Sequence, residues 1–274
     1  TRFSSSADGR IRCWSTMPSG KPILMEKPIE RTLDAAQAIV GTCAQAGVPL
    51  GIVLQHRMRP SALELKRVLE ADELGEIASV EITVPWWRPQ SYYDEPGRGT
   101  FARDGGGVLI SQAIHTIDLA LYLTGPVRRV QAMLRTSALH QMETEDFAVI
   151  GLDFASRAVG SIVATTAAYP GGPESIALHG TKGSARLAAN ELVICLRNGD
   201  ERTFGEAGGS GGGADPMAFT HDWHRAIIAD FADAIEQNRP PVASGQDALA
   251  VHRLIDAAVR SSREGWAVDV KGAT

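Results

Sequence analysis

Two short motifs in the chain carry side chains that could bind or move a proton. The first is Glu26-Lys27-Pro28, which follows the apolar residues 22–25. Because proline disfavours a helical conformation in the residue before it and permits a cis bond, we expect Lys27 to be fixed at a strand end. Ligands of open α/β sheets bind at this edge, where partial burial could lower the pKa of a lysine. The alternative is a solvated lysine at a strand–loop corner, and the tripeptide alone favours that alternative.

The second motif is a run of three glycines, residues 105–107, followed by an apolar-periodic helix. Glycines allow the backbone to approach a neighbour closely just before a helix begins. Ser111, His115 and Asp118 then fall at positions i, i+4 and i+7 and share one helix face. Asp118 could hydrogen-bond one imidazole nitrogen of His115 and leave the other as a proton acceptor. A surface histidine with an incidental ion pair is the alternative that stays open.

Three other features are given structural interpretations. His221 and His224 are three residues apart on a predicted helix, but no third metal ligand is nearby and Trp223 indicates a packing helix. We therefore interpret both histidines as surface residues and predict no metal site. His179 lies near a predicted hairpin turn, where we expect a structural role. Residues 209–214 match GxGxxA formally but lack a following βα partner, so they are interpreted as a linker.

The composition excludes several classes of protein. Lys and Arg total 27 and Asp and Glu total 32, so the net charge of −5 argues against a general nucleic-acid-binding protein. Cys13, Cys43 and Cys195 are odd in number and form no CxxC pair, which argues against a disulfide framework or a zinc knuckle. We therefore expect a reducing, cytoplasmic location. No apolar run is long enough to span a membrane, and residues 1–6 lack the apolar segment of a signal peptide.

The elements that position the two motifs follow from hydrophobic periodicity. Apolar strands at 22–25 and 49–54 flank a helix at 33–46, which predicts a βαβ unit with parallel strands. Ser61 and Glu64 match a capping box, which predicts a helix from there to about residue 71. A strand with one exposed face is predicted at 77–84, a loop at 86–107 and the helix of the second motif at 108–124.

The rest of the chain is predicted to be a sheet followed by helices. Alternating patterns separated by turns indicate an antiparallel sheet with strands at 128–136, 145–154, 158–167, 174–180, 183–188 and 191–197. A glycine-rich loop, 208–213, precedes a long helix at 217–237. Ser244 and Asp247 resemble a second capping box, which predicts a last helix to about residue 263. Residues 268–270 could close the sheet as a final strand.

The order of the motifs resembles one known family. Glu26-Lys27-Pro28 is followed by Gln55-His56-Arg57-Met58-Arg59-Pro60 and then by a helix of the form GGGxLxxQxxHxxD. This order resembles the Gfo/Idh/MocA family of NAD(P)-dependent oxidoreductases, which act on sugars, cyclitols and related alcohols, and the resemblance covers roughly residues 20–271. It implies an α/β plus α+β fold in which residues 1–60 form an incomplete dinucleotide-binding domain, the remnant of a parallel Rossmann sheet. Residues 61–274 would form an open, mostly antiparallel sheet with helices on one face, and that sheet would support homo-oligomers.

The resemblance also implies roles for individual residues. Lys27 and His115 would be catalytic, one taking the hydroxyl proton and the other stabilising the alkoxide while a hydride passes between a polyol or sugar-like alcohol and NAD or NADP. Ser111 stands where many members have Asp or Asn. The residues implied near the cofactor are Glu26, Lys27, Pro28 and Arg57. The predicted substrate residues are Tyr93, Arg98, Ser111, Gln112, His115 and Asp118. Tyr92, Tyr93 and Arg98 lie on the loop before the glycines and could shape the substrate pocket, but the aromatic side chains could equally anchor that loop.

The chain departs from the family pattern near its start. Members have a GxGxxG turn well before the Glu-Lys-Pro motif, whereas only 25 residues precede Glu26 here and they contain no such turn. The chain begins with Thr1, and residues 1–20 show no periodicity, so we expect a truncated or misread N-terminus with Met17 as a conceivable start. The alternative to an enzyme is therefore an incomplete family member that acts only as a binding or oligomerising module.

Overall fold

The computed structural model describes residues 20–206 and 220–272, and its first part is the predicted βαβ unit. Thr32 caps the helix, because its hydroxyl accepts a hydrogen bond from the Ala35 amide at 3.3 Å. The two strands pair in parallel with Ile23 opposite Leu50. The first strand was expected to be buried but is half-buried, with Glu26 exposed. The unit comprises β1 (Ile23–Glu26), α1 (Leu33–Gln45) and β2 (Leu50–Val53).

A tight 3-10 turn, Gln55–Met58, links β2 to the helix α2, Pro60–Glu70. The capping box predicted from Ser61 is wrong. The helix begins one residue earlier, with Pro60 in its first turn, where proline is favoured because its missing N–H needs no partner. Glu64 instead binds Arg67, with 2.8 Å between Oε1 and Nη2.

A sheet of nine strands forms the body of the protein. Its order is β10-β9-β8-β7-β3-β6-β5-β4-β11, and in the described residues every neighbouring pair is antiparallel except β3 and β6. The predicted strands are confirmed to within about two residues, and β10 was not predicted. The strands are β3 (Ile77–Pro85), β4 (Val127–Arg135), β5 (Phe147–Phe154), β6 (Val159–Thr165), β7 (Ser175–Gly180), β8 (Gly183–Ala188), β9 (Glu191–Leu196), β10 (Glu201–Phe204) and β11 (Val268–Asp269).

Helices cover one face of this sheet, as predicted. The larger apolar core lies between the sheet and three helices, α2, α5 (Ile114–Thr124) and α7 (Gly245–Glu264). A second apolar cluster joins the βαβ unit to α6 (Asp222–Glu236) and to the start of α7. The capping box at Ser244 and Asp247 is confirmed. Two short helices, α3 (Gln90–Tyr93) and α4 (Phe101–Asp104), lie within the predicted loop.

One helical stretch is apolar and long enough to cross a membrane. It runs over 24 residues, Phe101–Thr124, with a mean hydropathy of 1.3, and 78% of its apolar window is buried in the protein. Such burial is typical of a core helix, and α5 does lie in the larger core. The predictions for Cys13, Met17 and the glycine-rich residues 208–213 fall outside the described residues, as do residues 217–219 of the predicted long helix.

Candidate active site

Lys27 lies directly after β1, and the structure brings it against the helix of the glycine motif. Its ammonium donates a hydrogen bond to the backbone carbonyl of Ser111 at 2.9 Å, across 84 residues of sequence. The Lys27–Pro28 bond is cis, which the sequence permitted. Burial lowers the pKa of Lys27, and the negative charge of Glu26 opposes that effect. Lys27 is therefore placed at a sheet edge as a cation that releases its proton more readily than a solvated lysine.

The glycine run fits against the backbone of a loop from the sheet. A Cβ atom at Gly107 would lie 1.8 Å from the carbonyl oxygen of Glu145, so only glycine fits there. The Gly107 and Leu109 amides donate to the Glu145 carboxylate at 2.9 and 3.2 Å. Gly105 has a φ of +79° and packs on the backbone of Arg31. Glu145, which the sequence did not indicate, therefore holds the start of the site helix.

The site helix opens with a π-helical turn, Leu109–Ala113, before α5 begins at Ile114. Such turns insert an extra residue and are frequent at functional sites. Within it, the Ser111 hydroxyl donates to the carbonyl of Gly107 at 2.5 Å and contacts the amide oxygen of Gln112. The Gln112 amide donates in turn to the Tyr92 hydroxyl at 3.4 Å. Ser111 and Gln112 thus connect the helix to the loop that was predicted to shape the substrate pocket.

His115 is buried on α5, and its environment favours the neutral imidazole. Its ring stacks on the ring of His56, with centroids 4.8 Å apart, and its buried Nδ1 has no hydrogen-bond partner in the described residues. Burial lowers the pKa of His115 well below 6.5, and the basic neighbours Lys27, Arg59 and His224 lower it further. A neutral histidine beside Lys27 is able to accept a proton.

The predicted hydrogen bond from Asp118 to His115 is wrong. Asp118 is fully buried and forms a two-bond pair with Arg57, with 2.8 Å from Nε to Oδ2 and 2.6 Å from Nη2 to Oδ1. Arg57 also donates to the carbonyl of Val242 at 2.7 Å and covers the ring of Tyr122. Buried charges need such partners, so both side chains are used in holding α5 to the 3-10 turn. The pair gives no support to the cofactor role expected for Arg57 or to the substrate role expected for Asp118, and both stay predictions.

A small cavity of about 110 Å³ lies between the predicted substrate loop and the glycine run. Arg98, Ser111 and Gln112 line it together with Tyr92, so the structure brings these candidates together. The Arg98 guanidinium lies 4.0 Å from the centre of the Tyr92 ring and binds Glu95. The cavity is polar on several sides, which suits a hydroxylated ligand.

Tyr93 faces the same cavity and also anchors its loop. Its hydroxyl is hydrogen-bonded to the Thr166 hydroxyl at 2.6 Å, and its ring packs against His140. Burial raises the pKa of Tyr93 to about 12. Because the hydroxyl already has a buried partner, Tyr93 anchors the loop to the sheet, which is one of the two roles expected for it, and its contact with substrate stays a prediction.

Several residues of the site were missed by sequence reasoning. His56 and Arg59 leave the carboxyl end of β2, Glu174 precedes β7, and His224 enters from α6. His224 was interpreted as a surface residue, but it is half-buried and lies close enough to His56 and His115 to lower the pKa of both. His221 is exposed, and the described residues contain no group of three side chains suited to a metal ion. The position of His56 after a strand end was a usable signal, whereas nothing pointed to Glu174.

Similar proteins are dehydrogenases of sugars and related compounds. The family profile described as the GFO/IDH/MocA C-terminal domain matches residues 62–186. D-apiose dehydrogenase of Rhizobium rhizogenes is 28% identical over 268 residues, covering 91% of this chain and 72% of that protein. Inositol 2-dehydrogenase of Rhizobium meliloti is 26% identical, and the match covers 90% of this chain and 72% of that protein. The solved WlbA dehydrogenase from Bordetella pertussis, in complex with NADH and UDP-GlcNAcA, is 30% identical with a TM-score of 0.75, covering 90% of this chain and 71% of that one.

Proposed function

Because this chain belongs to the Gfo/Idh/MocA family of oxidoreductases, we propose that it transfers a hydride between a hydroxyl-bearing carbon of a sugar, cyclitol or related polyol and a nicotinamide dinucleotide. The observation that carries the proposal is the meeting of Lys27 and a neutral His115 at the carboxyl end of β1. Hydride transfer from an alcohol also requires removal of the hydroxyl proton, and this pair supplies a base and a cation for that step. The relatives act on related alcohols and support the substrate class.

His115 is the proton acceptor in this proposal. It is neutral, and no carboxylate of the described residues bonds to its ring. Lys27 donates to the Ser111 carbonyl, so its ammonium is fixed beside the helix and stabilises the developing alkoxide. The polar cavity with Tyr92, Arg98, Ser111 and Gln112 receives the remaining hydroxyl groups of the substrate.

The nicotinamide cofactor, when bound, accepts or supplies the hydride. Glu26, Lys27 and Pro28 form its nicotinamide end in this proposal, and two observations fit that assignment. The strand end is the usual ligand edge of a parallel sheet, and His115 keeps a buried nitrogen without a partner there. The described residues contain no glycine-rich turn after a strand that would hold the pyrophosphate. The NADH held by the WlbA dehydrogenase supports the cofactor class.

We also propose that residues 1–60 belong to the cofactor domain and residues 61–274 to the substrate domain. The separate apolar cluster of the βαβ unit supports this division. The start of α7 contributes to that same cluster, so the substrate domain holds the cofactor unit through this helix. Cys43 and Cys195 are free thiols in the described residues, which is compatible with the proposed cytoplasmic location.

The test is a search for activity with matched variants. Purified protein is mixed with NAD or NADP and a panel of pentoses, cyclitols and anhydrosugars, and formation of the reduced cofactor is followed by absorbance. For the best substrate, His115→Ala and Lys27→Ala are expected to lower kcat/KM by about 10²- to 10⁴-fold, the usual contribution of acid–base groups. His179→Ala, which alters an exposed histidine on β7, is the control and should leave the rate unchanged. Undiminished rates in the first two variants would contradict the assignment.

The uncovered face of the sheet is our proposed oligomer interface. Met133, Val149 and Val163 lie side by side on neighbouring strands, and alternation places them opposite the helix-covered face. Val159, 58% exposed, adds apolar surface. Replacement of Val163 by Glu should dissociate the assembly in light scattering coupled to gel filtration, and an unchanged mass would contradict this interface.

A further inference from the structure

The ring of His56 forms the wall against which His115 lies. The two imidazole rings are inclined by only 30°, with centroids 4.8 Å apart. The Trp223 ring packs against His56 at an angle of 85°, with centroids 6.2 Å apart. His56 is 1% exposed. Both histidines have a buried Nδ1 without a hydrogen-bond partner in the described residues. Buried polar atoms of this kind are rare and require an explanation.

Arg59 determines which nitrogen of His56 carries the proton. Its Nη2 lies 2.6 Å from Nε2 of His56. A guanidinium has only donors, so Nε2 must accept this bond and His56 must be neutral with its proton on Nδ1. The protonated form of His56 would have to turn an N–H toward the guanidinium. The pKa of His56 is accordingly well below 6.5, first through burial and then through the charge of Arg59.

Glu174 holds Arg59 in that position. Its Oε1 lies 2.6 Å from Nη1 of Arg59, and its Oε2 accepts a bond from the Trp86 indole at 3.3 Å. Arg59 also lies over the Trp223 ring, with 4.6 Å to its centre. The arginine therefore has a charge partner and an aromatic support. Its Nη1 also donates to the carbonyl of Ala189 at 3.3 Å, and its Nη2 contacts His56. These contacts connect the sheet to the ring of His56, which stacks on the ring of His115.

The charges around the two rings are mainly positive. Lys27 comes from the end of β1, Arg59 from the chain after the 3-10 turn and His224 from α6, and each disfavours protonation of both rings. The Glu174 carboxylate is already bonded to Arg59. Because the imidazole rings meet face to face, no hydrogen bond joins them and a proton taken by His115 has no direct route into His56.

We propose that His56 is a positioning residue for His115. Arg59 and Glu174 hold His56 as the neutral Nδ1–H tautomer, and its ring fixes the orientation of the His115 ring and shields its buried face from water. His115 is thereby kept as an unprotonated base on the helical segment to which Lys27 is bonded. This inference rests on the proposed function, because it assigns the purpose of the arrangement to proton removal from the alcohol.

The test follows the histidine side chains by NMR in the whole protein, without substrate. The chain has seven histidines, which are assigned by single substitution. In the unaltered protein, His56 should show the Nδ1–H tautomer and His115 should remain neutral at mildly acidic pH. In His56→Gln, an amide oxygen still accepts from Arg59 but the ring wall is lost, so water reaches His115 and its titration midpoint should rise by about one pH unit. His179→Gln is the control and should not move it.

A second variant covers the case in which His56→Gln fails to fold. Arg59→Gln combined with Glu174→Gln removes both charges and retains an amide pair, and the His115 midpoint should again rise because a positive neighbour is gone. A His115 midpoint that stays unchanged in the folded variants, or a proton on Nε2 of His56, would overturn the role of His56. In the activity assay, the acidic limb of the pH profile of kcat/KM should shift to higher pH together with the His115 midpoint. A merely structural defect would lower kcat/KM at every pH and leave the limb at the same pH. Absence of dehydrogenase activity in the unaltered protein would contradict the proposed function instead.

Discussion

Gly107→Ala adds a single methyl group, but we expect it to lower the stability of the folded protein strongly. The added Cβ would lie 1.8 Å from the Glu145 carbonyl oxygen and 2.6 Å from its carbonyl carbon, so the two backbones must separate by more than 1 Å. Overpacking of this kind costs about 1–3 kcal/mol, and weakening the two amide bonds to the Glu145 carboxylate adds about as much again. We expect a loss of about 3–5 kcal/mol in the free energy of unfolding, and a fall in Tm of about 10 °C.

The assay for this prediction is urea denaturation and thermal melting followed by circular dichroism. Gly41→Ala is the matched control, because it lies within α1 and a Cβ there meets nothing within 4 Å. Alanine favours helix over glycine, so the control should gain up to about 1 kcal/mol. A Gly107→Ala protein within about 0.5 kcal/mol of the unaltered chain would show that the loop carrying Glu145 yields easily, and the steric account of the glycine run would be refuted.

Three further outcomes follow from the buried polar groups. Asp118→Ala should lower the free energy of unfolding by about 3–5 kcal/mol in urea denaturation, because it leaves Arg57 charged and buried. The double variant Arg57→Met with Asp118→Leu should recover most of that loss. Equal losses in the single and the double variant would contradict this. Burial lowers the pKa of His252 to about 4. The folded protein therefore binds fewer protons than the unfolded chain between about pH 4 and 6.5. The free energy of unfolding should fall on acidification through that window, by about 3 kcal/mol for this residue. His252→Asn should flatten the slope, and a slope as steep as before would count against this source. Tyr93→Phe should cost about 1 kcal/mol of stability with KM unchanged, whereas a large rise in KM would mean that the hydroxyl contacts substrate.

Local sequence patterns predicted most of the helices and strands, because these elements depend on hydrophobic periodicity and on turn residues. Strands β3 to β9 alternate apolar and polar residues, and Ser244 and Asp247 have the spacing of a capping box, so their formation needs little tertiary information. The box at Ser61 failed because the neighbouring Pro60 takes the first helical position. The exposed strand β10 lacks a buried face and therefore lacked a pattern.

The site was predictable only in part, because its partners are distant in sequence. Lys27 and His115 lie in motifs whose order predicts the site, and in the folded chain Lys27 bonds to the backbone of Ser111, four residues before His115. The partner of Asp118 was misjudged because His115 is its neighbour along the helix, while Arg57 is 61 residues away and reaches it only in the folded chain. Glu145 offered no signal, since its importance comes from the amides of the glycine run.

The bond from Lys27 to Ser111 has a consequence for how such a site can diverge. Lys27 is bonded to the main-chain carbonyl at position 111, which every amino acid possesses. The side chain at that position is therefore free to change without releasing the lysine. A change of side chain at residue 111 alters the lining of the cavity and leaves the bond of Lys27 to the backbone intact. The chemistry of the cavity and the position of the lysine are therefore able to diverge independently.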